Sequence, residues 1–269
     1  MFLKRWTLYG AKKILGVKNT VDLAILIRYL THAKFVVKQL KLSHSQISQD
    51  VFVLSELQKV KPMREFQFFV EFGATNGKEL SNTYLLEKFY SWKGILVEPA
   101  KVWHDSLKEN RNCIIDYRCV SSTTGERVPF VQSSEPVYST LYHFSDPNHH
   151  VDKRIAGETY DIETITLNDL LEEHKAPVLI DYLSIDTEGS EYDILKNVNF
   201  SKWKFRIITV EHNYNANRKS IFDLLTQNGY ERVLTNKTLM DDWYILTKRV
   251  HFPKKAADSI SVRENYQRN

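Results

Sequence analysis

The sequence predicts a doubly wound α/β fold: a mostly parallel sheet closed by a C-terminal β-hairpin, with a helical extension in front of it. Three observations carry this expectation. From Phe66 onward, strand-like apolar runs alternate with helical ones, the pattern that builds a parallel sheet with helices across it. Two of the strands, Phe68–Phe72 and Gly94–Val97, deliver acids, Glu71 and Glu98, to one edge of that sheet. Between them, Gly73-Ala74-Thr75-Asn76-Gly77 is a Gly-x-x-x-Gly turn, where the backbone can fold back tightly and approach a ligand.

The elements follow in order. Residues 1 to 60 read as helices. Val21, Ala24, Ile25, Arg28 and Tyr29 recur at helical spacing, as do Phe35, Val36, Gln39 and Leu40. Val51–Val60 is a third amphipathic segment that stops near Pro62, because the residue before a proline is pushed out of helical geometry. The strands expected after it are Phe68–Phe72, Gly94–Val97, Cys113–Val120, Leu179–Ile185, Phe205–Glu211, Tyr230–Leu234 and Trp243–Thr247. The helices between them are Glu79–Tyr90, Val102–Asn110, Leu167–His174, Glu191–Asn197 and Lys219–Asn228. Arg127–Val131 and Tyr160–Thr166 add two β-like pieces around a polar insertion from Gln132 to Glu158, which holds His143, His149 and His150. An excursion of that length beside a ligand edge is often a lid over a substrate. Tyr230–Leu234, the turn at Thr235–Thr238 and Trp243–Thr247 form the closing hairpin. The expected division is a helical extension over 1–62, an α/β domain over 63–248 and a polar tail over 249–269.

The 269 residues carry a net charge of +4, unevenly spread. Residues 1–62 hold 11 Lys/Arg against 3 Asp/Glu, and the remainder holds 26 against 30. The basicity therefore belongs to the N-terminal helices and not to the α/β part, which argues against nucleic acid as a substrate. Phe2, Leu3, Trp6, Tyr9 and Ala11 alternate there with Lys4, Arg5, Lys12 and Lys13. The extension is expected to dock, either as an arm in a homo-oligomer or on an anionic membrane surface. Cys113 and Cys119 are the only cysteines; on one strand they would sit roughly 20 Å apart, beyond disulfide reach. Two isolated thiols offer no zinc site and fit a reducing compartment. Met1–Val17 lacks the uninterrupted apolar core of a secretory leader. The expected location is the cytoplasm, with peripheral contact at the inner membrane surface.

The chemistry is expected at the sheet edge. The Gly73–Gly77 turn lacks the Gly-x-Gly-x-x-Gly spacing that cradles a dinucleotide pyrophosphate. Glu71 beside it is a poor neighbour for phosphate and a good one for a cation. S-adenosylmethionine (SAM), with an ammonium, a sulfonium and a ribose but no phosphate, fits that chemistry, and Glu98 is placed to take ribose hydroxyls. A second segment, Leu183-Ser184-Ile185-Asp186-Thr187-Glu188-Gly189-Ser190-Glu191, runs a strand into Asp186, turns at Gly189 and starts a helix. Asp186 and Glu188 then project at the same edge, and the next strand, ending in Glu211-His212, should finish alongside. Read singly, Asp186 is nearly as well explained as a helix cap, His212 as a satisfied strand-end histidine, and Glu191 as a charge favoured by the helix dipole. The coincidence of four acid-bearing strand ends is what points to a site. Asp186, Glu188 and His212 are expected to face a methyl acceptor, acting by proton transfer. The other route is a divalent ion, magnesium or calcium, with Asp186, Glu188, Glu211 and His212 as candidate ligands.

With both motifs in place, the chain resembles the FkbM-type methyltransferases. The residues that carry the likeness are Glu71-Phe72-Gly73-Ala74 with Gly77, Ser81-Asn82-Thr83, Leu86-Glu87, Trp92-Lys93-Gly94, Val97-Glu98-Pro99, Asn110-Arg111 and Leu183 to Glu191. Together they cover about residues 66–248 and leave the first 60 outside. The resemblance implies a Rossmann-like class I methyltransferase fold, SAM as the methyl donor, and O-methylation of a hydroxyl, on a sugar, glycan or related metabolite. It implies that Glu71, Gly73, Ala74 and Gly77 surround the methionine end of SAM, with Asn82 near. Asn76 stands in that turn where an Asp is common. Glu98 would hold the ribose, and the backbone around Arg118 and Cys119 would line the adenine pocket. Two other classes compete: an NAD-dependent sugar oxidoreductase, which wants the missing pyrophosphate turn, and a non-catalytic adaptor, which would have lost these residues.

Overall fold

The computed structural model describes residues 18–59, 66–142 and 157–247. Three helices come first: α1 (Thr20–Arg28), α2 (Ala33–Leu42) and α3 (Gln49–Leu57). Asn19 starts α1 with a capping box, its side chain accepting from Val21 and Asp22 N–H while the Asp22 carboxylate returns to Asn19 N–H. The chain then runs through β1 (Phe68–Phe72), α4 (Tyr84–Tyr90), β2 (Lys93–Val97), α5 (His104–Asn110) and β3 (Ile114–Asp116). An excursion follows, with β4 (Cys119–Val120), β5 (Arg127–Gln132), β6 (Thr140–Leu141) and β7 (Glu158–Ile165). It returns through α6 (Leu167–Glu173), β8 (Leu179–Ile185), α7 (Glu191–Lys196), β9 (Lys204–Glu211), α8 (Asn217–Gln227), β10 (Tyr230–Val233) and β11 (Asp241–Leu246).

The main sheet has the order β10-β11-β9-β8-β1-β2-β3. Its strands are parallel except β11, which runs antiparallel to both neighbours as the inner arm of the closing hairpin. From β1 the chain winds outward to β2 and β3, then crosses back to β8 and β9. The crevice beyond the C-terminal ends of β1 and β8 is therefore the switch point where such sheets hold ligands.

Side chains alternate across this sheet with a period of two. Phe69, Leu96, Tyr182, Ile207 and Trp243 share one core with Val21, Ile25, Phe52, Leu85, Leu86 and Leu107. Val70, Ile95, Leu183, Ile208 and Tyr244 share the other with Leu170, Leu171, Ile194, Leu195, Ile221 and Leu225. Helices α1–α5 thus cover one face and α6–α8 the other. This corrects the expectation of an N-terminal appendage bounded at residue 62. Helices α1–α3 are one of the layers, with the Phe52 ring against the Trp243 ring at 4.6 Å and Gln49 Nε2 donating to Asp241 at 2.9 Å.

Two further expectations change. Cys113–Val120 is not one strand: β3 ends at Asp116 in the main sheet, and β4 pairs with β7 in a second, four-stranded sheet of order β4-β7-β5-β6. The β-like pieces flanking the polar insertion pair with each other in that small sheet, around Phe130, Leu141 and Ile162. Helix α4 begins at Tyr84 and not at Glu79, because the N–H groups ahead of it are taken. Asn76 Oδ1 accepts from Lys78 and Glu79, and Glu71 accepts from Asn82. The alternating pattern at Phe2–Lys13, the histidines 143, 149 and 150, and the tail from 249 lie outside the described residues. Both cysteines are free, and among the described residues no helix is long and apolar enough to cross a membrane.

If α1–α3 are a structural layer, Phe52→Ala will lower unfolding stability by about 3–5 kcal/mol, the cost of emptying a buried aromatic site. Urea unfolding checks this. A loss below about 1 kcal/mol would return the helices to the status of an appendage.

Candidate functional site

The site is built around Glu71, near the C-terminal end of β1. Its carboxylate is buried and takes Asn82 N–H at 2.7 Å, Ser81 Oγ at 3.1 Å and Thr83 Oγ1. Arg111, at the end of α5, lies with its guanidinium 3.7 Å away and donates to Gly77 O, Ser81 Oγ, Thr83 Oγ1 and Glu87. Burial pushes the Glu71 carboxyl up, and the Arg111 charge opposes that shift. Gly73, with φ +71°, presses against β8, where an added Cβ would meet Asp186 O at 2.1 Å. The turn consumes its own donors. Gly73 and Ala74 N–H point at Val97 O, Thr75 N–H at Glu98, and Gly77 N–H at Ala74 O. An anion cradle would need those groups open.

Glu98, just past β2, is buried. Its oxygens accept Thr75 N–H at 2.7 Å and Ala100 N–H at 2.8 Å. Burial lifts its carboxyl to about 7, with the Glu71 charge adding to the rise. Asn82 donates from Nδ2 to Ser184 Oγ at 2.9 Å, while its buried Oδ1 has no partner.

The acid cluster lies past β8 and β9. Oxygens of Asp186, Glu188 and Glu211 all come within 4.8 Å of one another. Asp186 and Glu211 are hydrogen-bonded to each other, and burial together with the neighbouring carboxylates raises both well above the ordinary range. Glu188 sits on a turn with φ 58°, followed by Gly189 at φ 127°. Two groups unforeseen in the sequence hold that turn. Glu191 Oε1 accepts from Thr187 N–H, Thr187 Oγ1 and Gly189 N–H at 2.9–3.0 Å. Thr140 of β6 donates to the carbonyls of Thr187 and Glu188, both at 3.2 Å. The sequence signals for Glu191 were its position at a helix start and its place at the end of the Leu183–Glu191 motif; Thr140 left none.

His212 does not join the acids. Consecutive residues at a strand end face opposite sides of the sheet, so Glu211 points toward α1–α5 and His212 toward α8. There His212 is buried, accepts Tyr214 N–H on Nδ1 at 2.9 Å, and lies 3.8 Å from Asp242, which Arg218 also engages. Burial lowers its pKa. The expectations of His212 as a base and as a metal ligand are both corrected by this parity.

These elements border an open cleft with about 970 Å³ of empty space, the solvent at its mouth included. Glu71, Gly73, Asn82, Glu98, Cys119, Asp186 and Glu188 line it. Ala74, Asn76, Gly77 and Arg118 do not. Asn76 ties off the turn, Gly77 packs where a Cβ would strike Leu107 and Arg111, and the Arg118 side chain is held by Asp116 and Glu173. The wall also includes Gln46 from the α2–α3 connection, Gln49 from the start of α3, and Phe130, Thr140 and Leu141 from the second sheet. Sequence reading missed both contributions.

A family profile described as methyltransferase FkbM domain matches residues 71–232. No curated protein matches the chain. Among solved structures, methyltransferase FkbM from Methylobacillus flagellatus KT is 12% identical with a TM-score of 0.43, covering 82% of this chain and 60% of that one. Precorrin-6y C5,15-methyltransferase from Geobacter metallireducens GS-15 is 10% identical with a TM-score of 0.38, covering 73% and 85%. The N-terminal domain of human METTL16, solved with S-adenosylhomocysteine, is 12% identical with a TM-score of 0.38, covering 75% and 70%.

Arg111→Met leaves Glu71 buried without its counter-charge and is expected to cost about 3–5 kcal/mol in urea unfolding. Adding Glu71→Gln should recover part of that loss. A double variant no better than the single would mean that Arg111 acts through packing alone.

Proposed function

Given that the chain belongs to the FkbM methyltransferase family, we propose that this SAM-dependent methyltransferase methylates a hydroxyl of a sugar, on a glycan or a related metabolite. The observation that carries this reading is the cavity wall. Glu71, Glu98, Asp186 and Glu188 line it, and the described residues there include no Lys, Arg or His. Such a wall favours the ammonium and sulfonium of SAM and disfavours a phosphorylated acceptor. A neutral polyol can donate its hydroxyls to the same carboxylates.

The residues present fit the cofactor. Each Glu98 oxygen keeps a second lone pair for a ribose hydroxyl, and the unpartnered Asn82 Oδ1 can accept from the ammonium. Val97, Cys119, Val120 and Phe130 offer apolar walls for the adenine. Bound SAM supplies a methyl group already activated by its sulfonium. What remains for the chain is to hold an acceptor oxygen in line and take its proton. A carboxylate raised by burial and by like charge is a stronger base than an exposed one, and Asp186 meets that description. Glu188 faces the same acceptor space. The internally consumed turn donors favour SAM over NAD.

A second reading of the same acids is supported by their spacing. Asp186, Glu188 and Glu211 form a set of hard oxygen ligands suited to magnesium or calcium. An ion held there would acidify an acceptor hydroxyl. His212 is not part of that set.

Glu98→Ala is expected to weaken S-adenosylhomocysteine binding by about 1.5–3 kcal/mol, measured by calorimetry. Unchanged affinity in a folded variant would remove Glu98 from the ribose site. Ligand hydroxyls prefer the ionised carboxylate, so affinity in the wild type should rise with pH through about 7 and release protons. The raised Glu98 pKa has the opposite effect on the ligand-free fold. Its stabilising contribution is fully present below the ordinary carboxylate range and is lost as pH climbs through about 7. A pH profile for affinity that is the same in Glu98→Gln would refute the assignment.

Asp186→Asn, Glu188→Gln and Glu211→Gln should each reduce methyl transfer from labelled SAM to neutral glycans while leaving S-adenosylhomocysteine affinity within a few-fold. His212→Gln should leave transfer largely intact. Full activity in EDTA would eliminate the metal reading, and wild-type rates in all three acid variants would eliminate the site.

A further inference from the structure

Helices α1–α3 sort their charges by sign. The three acids of the segment are turned inward and held by hydrogen-bond donors. Asp22 is held by Asn19 and Ser48, Asp50 by Ser43, Ser45 and Val51 N–H, and Glu56 by Arg28, Tyr29 and Lys59. Asp22 and Asp50 are 0% exposed and Glu56 is 8% exposed. The opposite face carries Lys34, Lys38 and Lys41, all exposed. Among the described residues no carboxylate pairs with these three lysines. Lys34, Lys38 and Lys41, spaced by four and three residues, fall on one stripe of α2, and Leu30 lies in the 3₁₀ turn just ahead of it. Leu30 is 68% exposed, and Ile27, at the end of α1, is 60% exposed.

We propose that this stripe docks the enzyme on an anionic phospholipid surface, with Ile27 and Leu30 entering the headgroup region and the three lysines pairing with lipid charge. The argument is charge complementarity joined to exposed aliphatic side chains, the composition of an interfacial helix face. A nucleic-acid surface would use the lysines and leave the aliphatic residues without a role. The stripe also leads to the reaction space. Helix α2 runs through Ser43–Ser48 into α3; that connection supplies Gln46 to the cavity wall, and the first residue of α3 supplies Gln49. Leu80 and Val137, 52% and 40% exposed, line the same cavity. A membrane-borne acceptor would meet an apolar rim before the acids. This inference does not depend on the sugar-hydroxyl reading, because vesicle binding needs no acceptor.

The test is sedimentation of the full chain with phosphatidylcholine–phosphatidylserine vesicles, against pure phosphatidylcholine, at low and high salt. The wild type should sediment only with the anionic vesicles and be released by salt. Each lysine contributes about fivefold to partitioning, so Lys34→Glu/Lys38→Glu/Lys41→Glu should weaken binding at least about a hundredfold. Ile27→Ser/Leu30→Ser should weaken it with the charge intact, and Lys219→Glu on α8, across the sheet, should not. Because all these positions are exposed, unfolding curves are expected to match the wild type. Failure to bind anionic vesicles overturns the proposal. Retained binding in both stripe variants overturns it too, as does binding to a single-stranded oligonucleotide in place of vesicles.

Discussion

The buried pairing of Glu71 with Arg111 is the interaction on which the rest of the site depends. Taking a carboxylate and a guanidinium out of water is costly, and only a dense set of hydrogen bonds offsets that cost. Here Ser81, Asn82 and Thr83 complete the carboxylate, while Gly77, Ser81, Thr83 and Glu87 complete the guanidinium. The pair therefore binds the end of β1, the loop after it, α4 and the end of α5 into one unit. That fixed loop is what brings Thr75 N–H onto Glu98 and the Asn82 amide onto Ser184. Glu71 reaches the cavity, yet its first duty is to shape the loop.

Strand parity then sorts the remaining polar residues. Tyr182, Ser184 and Asp186 share a face with Thr209 and Glu211, and the hydroxyls of Ser184, Thr209 and Tyr182 form a ladder beneath the acids. Asp241 faces the same way and receives Gln49, whereas Asp242 faces α8 and gathers Arg218, Arg232 and His212. A shift of one residue would exchange the two sets. The site therefore lies on the α1–α5 side of the sheet, and the N-terminal helices form part of its wall.

Electrostatics separates the cavity into two working zones. Glu98 is raised to about 7 by burial and by Glu71, in a pocket where hydroxyl donors can draw it toward the ionised form. Asp186 and Glu211 are also raised, by burial and by the charges of each other and of Glu188. The turn carrying Glu188 is anchored by Glu191 from below and by Thr140 from the second sheet, so the excursion after β3 helps to shape the acid-lined end of the cavity.

The sequence by itself determined the alternation of strands and helices, the parallel sheet with its closing hairpin, the Gly73 turn, and the delivery of Glu71, Glu98, Asp186 and Glu188 to one edge. These are local properties: hydrophobic period, turn chemistry, and the rule that parallel strands finish at a common edge. Tertiary structure alone decided the rest. His212 and Glu211 are neighbours in sequence and could not be assigned to faces until the register of β9 against β8 and β11 was set. The split of Cys113–Val120 required β7, more than forty residues away, to claim Cys119 and Val120. The start of α4 was moved by a side chain on β1 that captured its amide. Gln46 and Gln49 carry no motif and reach the cavity only because Phe52 and Trp243 pack together. Each of these outcomes rests on a contact between residues distant in the chain, and pairings of that kind leave no periodic trace in either partner.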